Sequence, residues 1–150
     1  MRIVAGCLFF AVGSVVLAPS SQELHKRYGE PNLERFMARP GIVLTVEYGS
    51  DHSVCWVLIE PPRPPFHPEE SVPLMSSDTV TEILEEVVPV KLRGMSIASS
   101  IDSRGCAESR RTQYQGLTID RVRNNCPTPT PEHEVRATVA YTRDVCRKSK

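Results

Sequence analysis

Six of the thirteen residues from 61 to 73 (PPRPPFHPEESVP) are proline, and three more stand at 127, 129 and 131. Proline fixes φ and has no amide hydrogen, so neither stretch fits inside a helix or an interior strand. The first should cross the surface in an extended, polyproline-like form, and the second should be a stiff linker. Regular structure is left to the parts of the chain outside them. With 40% hydrophobic and 24% charged residues over 150 positions, the chain has ordinary globular composition and enough length for one real core. It holds one tryptophan, so that core should be mainly Val, Ile and Leu.

The first twenty residues have a different character. Arg2 is followed by an uncharged run over residues 3–17 (IVAGCLFFAVGSVVL), then by Ala18-Pro19-Ser20. A basic start, an apolar stretch and small residues at −3 and −1 make the three-part layout of a secretory signal cleaved after Ser20. The apolar run is shorter than the ~20 residues a helix needs to span a bilayer. A retained anchor is the alternative, because Pro19 disfavours cleavage directly after Ala18. Val4-Ala5-Gly6-Cys7 has the letters of a lipidation box, but only six residues precede Cys7. The expected organisation is a signal over 1–20 and a single domain over 21–150, placed outside the cytoplasm with no stable membrane span.

Cysteine usage agrees with export. Cys7 leaves with the signal, and Cys55, Cys106, Cys126 and Cys146 remain. An even count in an exported chain reads as two disulfides. Cysteine-type zinc sites use closely spaced pairs, and the nearest spacing here is twenty residues. Cys106 and Cys126 are equidistant from Gly116, in a turn-like Tyr114-Gln115-Gly116-Leu117. A hairpin of 110–114 against 118–122 about that glycine would bring the two cysteines together at its open end. Cys55 is then left for Cys146.

Along the mature chain, Ser21–Tyr28 suits a short helix, with Gly29 to end it. Leu33–Arg39 is a weak strand candidate. Ile42–Tyr48 is a strong one, β-branched, with Ile42, Leu44, Val46 and Tyr48 on one face. Residues 53–60 are apolar on both faces, which predicts a central strand. Residues 77–88 predict the main helix: Ser77 as N-cap, Asp78 in the first turn, and Val80, Ile83, Leu84, Val87 and Val88 as one apolar stripe. Glu82, Glu85 and Glu86 should face solvent, and Pro89 should stop the helix. Residues 91–104 fit either a short strand or a helical turn. Residues 134–142 alternate as a half-buried strand. The fold class is α+β, a mainly antiparallel sheet with this one amphipathic helix packed on one face.

Tyr28-Gly29-Glu30-Pro31, closing a short helix ahead of a three-stranded meander, resembles the opening of small bacterial envelope modules of the SmpA/OmlA lipoprotein and β-lactamase-inhibitor-like type. The likeness covers residues 21–60. The cysteines, the proline loop and the second half depart from that pattern. The resemblance implies a binding role without catalysis, and it carries no site residue onto this chain.

No motif for chemistry stands out. His25, His52, His67 and His133 share no metal-binding spacing, although His67 and His133 each neighbour carboxylates. Asp51-His52-Ser53 invites a triad reading, but consecutive residues of a tight turn cannot point at one another as a triad requires. With 18 basic and 18 acidic residues and no basic stripe, nucleic-acid binding is not expected. No cofactor and no metal is expected. The proline loop displays Arg63, Phe66 and His67, residue types common in interfaces, on a stiff segment that loses little entropy on binding. The expectation is an exported non-catalytic module binding a protein or envelope component. The alternative is a small secreted hydrolase whose site is assembled from loops.

Overall fold

The computed structural model describes residues 21–62, 74–126, 133–143 and 146. The chain divides into two compact units between Pro31 and Asn32. In the first, α1 (Ser21–Tyr28) ends on Gly29, whose φ is +85° and whose N–H bonds the His25 carbonyl at 2.8 Å.

The second unit is a largely antiparallel sheet with short helices. Its strands are β1 (Leu33–Arg39), β2 (Ile42–Tyr48), β3 (Val54–Glu60), β4 (Met75–Ser76), β5 (Ser96–Arg104), β6 (Ala107–Tyr114), β7 (Leu117–Asn124) and β8 (His133–Tyr141). The helices α2 (Ser77–Val87) and α3 (Val90–Arg93) lie between β4 and β5 in the chain. The order across the sheet is β1-β2-β3-β8-β7-β6-β5, with β4 paired to β8. Two three-strand meanders, β1–β3 and β5–β7, are thus joined edge to edge by the last strand, β8. Both β3 and β8 lie inside the sheet, as their apolar patterns require.

The core follows from strand register. Val46 pairs with Val57, Val57 with Val139, and Val139 with Ile119, a row of branched side chains across four strands. Ile59 beside Ala137 begins a parallel row. These residues, with Met75 and Leu117, form one buried cluster that also contains Val80, Ile83, Leu84 and Val88. Continued across β6 and β5, the first row meets only Thr112 and Ser99. The core therefore stops before the last two strands.

Three sequence expectations need correction. The N-cap of α2 is Ser76, not Ser77, and no side-chain bond caps it. The Ser77 hydroxyl instead donates to Glu134 Oε1 at 2.9 Å, because a buried carboxylate needs that donor more than the helix end does. Glu85 is not merely solvated: it accepts from Arg93 Nη2 at 2.5 Å and from the Val90 amide at 3.0 Å, tying α2 to α3. Glu86, also on the outward side, pairs with Arg39. Third, the β6–β7 hairpin is centred between Gln115 and Gly116. Gln113 pairs with Thr118, and Cys106 accepts from the amide of Asn125, not of Cys126, at 2.7 Å. Cys126 lies one residue further on, still within bridging distance.

Both disulfides have Cα separations of 5.1 Å and join Cys55 to Cys146 and Cys106 to Cys126. The second does more than close one hairpin. Arg104 pairs with Ala107, so Gly105 and Cys106 form the two-residue turn between β5 and β6. The bridge therefore fastens that turn to the chain leaving β7. Among the described residues, no helix is long and apolar enough to cross a membrane.

Candidate functional site

Arg63, Phe66 and His67 lie outside the described residues, as does the signal segment 1–20. The other histidines can be placed. His25 belongs to the first unit, 3.7 Å from Glu30. His52 is exposed at the tip of the β2–β3 turn, with φ of +60°. His133 begins β8, where it pairs with Ser76. Among the described residues, no three His, Cys, Asp or Glu side chains are grouped to hold a metal.

The Asp51-His52-Ser53 segment is a turn. Asp51 Oδ1 accepts from the Ser53 hydroxyl at 2.6 Å and from its amide at 3.0 Å. The hydroxyl bond, aided by the amide, holds the Asp51 carboxyl below its ordinary range. His52 takes no part in either bond, so the arrangement shapes the backbone and activates no nucleophile.

Among the described residues, the most buried polar group is Glu134, 0% exposed. β8 carries it to the face shared with Arg121 and Arg123 of β7, because a bulge sets Glu134 opposite Arg123. Arg121 donates to Oε1 through Nε at 2.8 Å and also through Nη2. The same Nη2 reaches the Ser77 carbonyl at 3.2 Å and Thr81 Oγ1 at 3.1 Å. Arg123 Nε stands 3.8 Å from Oε1. The carboxylate is satisfied through one oxygen only; Oε2 is buried without a hydrogen-bond partner. This network ties the first turn of α2 to strands β7 and β8. It is enclosed, so its geometry suits a latch and not a substrate site.

Among the described residues, two of the surface depressions are shallow and of about 300 Å³ each. One lies at the Cys55–Cys146 bridge, beside Glu47, Trp56 and Ala140. The other lies between Leu92, the Gln115–Gly116 turn and Tyr141 to Arg143. Burial pushes the Tyr141 phenol up, and the Arg143 guanidinium 5.5 Å over its ring acts the other way. Neither depression contains a histidine, and neither brings a base to a nucleophile.

The least protected surface is β5 with the segment leading into it. All nine residues of β5 are exposed. Val90, Leu92, Met95, Ile97 and Ile101 are 63%, 70%, 68%, 60% and 58% exposed, a concentration of large apolar side chains within twelve residues. As the last strand in the sheet order, β5 pairs only with β6 among the described residues. An open strand edge offers a row of unpaired backbone donors and acceptors, and folds normally blunt such edges with charge or irregularity. Both edges carry a bulge, before Arg39 in β1 and between Ser96 and Ala98 in β5, and β1 adds the charges of Glu34, Arg35 and Arg39. β5 has no charge before Asp102. Its start is fixed by Gly94, with φ of +76°, where an added Cβ would meet Gln115 Oε1 at 3.2 Å.

This strand does not stand out in the sequence. Four serines break the apolar alternation of SIASSIDSR, so neither a helical nor a strand period emerges. The usable signal was the Gly105-Cys106 turn followed by the reversing strand AESRRTQY. No protein-family model, curated protein or solved structure matches this chain.

Proposed function

We propose that the protein is an exported, non-catalytic binding module that engages another protein along the open edge of β5. The observation that supports this most is the uncharged, exposed run from Ser96 to Ile101, flanked by apolar side chains, on a strand that pairs with β6 alone among the described residues; the β1 edge carries Glu34, Arg35 and Arg39. Strand addition at such an edge gains main-chain hydrogen bonds, with neighbouring side chains adding selectivity. In this reading α2 lies across one face of the sheet through Val80, Ile83 and Leu84 and stiffens the platform from which the edge projects. Export is part of the reading. It draws on the signal-like residues 1–20 and on two disulfides, which form and persist in oxidising compartments.

The test of the non-catalytic half is a screen of the purified oxidised protein against ester, peptide and glycoside substrates. His52→Ala, His67→Ala and His133→Ala serve as controls. No turnover above blank is expected. Turnover that vanishes in one of the three variants overturns the reading. N-terminal sequencing of exported material should give a start near Ser21, whereas Met1 on membrane-bound protein would mean an anchor.

A further inference from the structure

We infer that the partner of β5 is a second copy of this chain, joined antiparallel about a two-fold axis that passes midway between the two copies' Ser99 and runs normal to the sheet. This rests on the binding-module reading above and names its partner. Such an axis pairs each residue with one on the same face, so only registers centred on a residue are allowed. Centring on Ser99 sets Ile97 against Ile101 of the second copy, twice, on one face. It sets Ala98 against Ser100 on the other face. Asp102 lies beyond the paired stretch from Ile97 to Ile101, and no like charges meet within it. Centring on Asp102 would place that carboxylate against itself, which disfavours the pair.

The local geometry permits this register. In β5–β6 the ladder runs without interruption from Ala98 to Arg104, and its one irregularity lies between Ser96 and Ala98. Ser96 and Ile97 therefore share the Tyr114 position, which keeps Ile97 on the face of Ser99 and Ile101. The two isoleucines are 60% and 58% exposed, so pairing would cover side chains that have little contact within one copy. The result is one continuous sheet through both copies, with the charged β1 edges outermost. Joining the two open edges removes both at once, which no single added peptide achieves.

Sedimentation equilibrium of the oxidised protein, with variants at the paired positions, tests the proposal. The parent should be a dimer. The double variant Ile97→Lys/Ile101→Lys places lysine opposite lysine and should weaken association at least about tenfold. Ile97→Glu/Ile101→Lys places opposite charges at the same two contacts and should return association to within about threefold of the parent. Both variants should melt like the parent at low concentration, because the replaced side chains are mostly exposed. Ser99→Cys gives a second readout that does not depend on affinity. Residues directly opposite in an antiparallel pair have Cα atoms ~4.5–5.5 Å apart, within disulfide reach. Mild oxidation should therefore cross-link Ser99→Cys into a reducible dimer, whereas Ser103→Cys should stay monomeric on a denaturing gel. A parent that remains monomeric at about 100 μM overturns the self-pairing. So does a dimer indifferent to the lysine pair, or a charge swap that restores nothing. In each of these cases the binding-module reading stands, since it fails only through the turnover screen.

Discussion

Glu134 is the residue whose environment is most demanding. A carboxylate with no solvent access is tolerated when charged and hydrogen-bonding partners replace the lost water. Here Arg121 supplies most of that replacement, and Ser77 adds one neutral donor. Removing the two partners should therefore have unequal effects. Arg121→Ala leaves the buried carboxylate with only the Ser77 hydroxyl and the more distant Arg123, and should destabilise by roughly 3–5 kcal/mol. Ser77→Ala removes one hydrogen bond to a charged group and should lose about 1.5–3 kcal/mol. Urea denaturation of the two variants gives the ranking, and Ser77→Ala proving the more damaging would show that Arg121 is not the principal partner. The sequence did not announce this site. Glu134 reads there as one polar position beside His133 in a proline-flanked segment, and only the bulge opposite Val122 and Arg123 turns it inward. A one-residue shift in register exchanges the faces of a strand, and local sequence does not report such shifts.

At the scale of elements, legibility followed periodicity. β2, β3, β8 and α2 carry long apolar patterns, and their places in the chain were read from residues alone. α2 is the sharpest case. Ile83 and Leu84 are 1% and 3% exposed, on the side of the helix that the i, i+3, i+4 spacing marks. Leu84→Asp should thus unfold or severely destabilise the protein, because it buries an unpaired carboxylate among aliphatic side chains. Glu82→Ala, at an exposed position, should stay within ~0.5 kcal/mol of the parent. Glu85→Ala should fall between the two, near 1 kcal/mol or less, since the partly exposed pair with Arg93 is lost along with a bond to the Val90 amide. Thermal melts of the three variants measure this order, and a Leu84→Asp protein melting with the parent would place α2 away from the core. β5 and α3 were not legible for the opposite reason. Their apolar residues serve no core, so no period imposed by burial marks them.

The whole molecule is held by two cross-links of different reach, and their removal should separate topology from local pairing. Cys55–Cys146 spans 91 residues and Cys106–Cys126 spans 20. The entropy withdrawn from the unfolded chain grows with the logarithm of the closed loop, which gives roughly 4.5 kcal/mol for the first and 3.3 for the second. Structure widens the difference. Cys106 and Cys126 lie beside a β6–β7 ladder that already runs from Gln113–Thr118 to Ala107–Asn124, so native pairing there persists without the bridge. Cys146 lies beyond Tyr141, the last residue of β8, and its bridge anchors the end of the strand that joins the two meanders. Cys55→Ser/Cys146→Ser should consequently lose more stability than Cys106→Ser/Cys126→Ser, by at least about 1 kcal/mol, or several degrees in Tm for a chain of this size. The losses should also differ in kind. Without Cys55–Cys146, amide exchange should accelerate first near the Leu117–Tyr141 end of β8 and in the facing part of β3. Without Cys106–Cys126, it should accelerate at the Arg104–Ala107 turn and leave β8 protected. Equal losses of stability with identical exchange patterns would mean that the two meanders unfold as one unit whichever bridge is cut, and that β8 is held by its ladder alone.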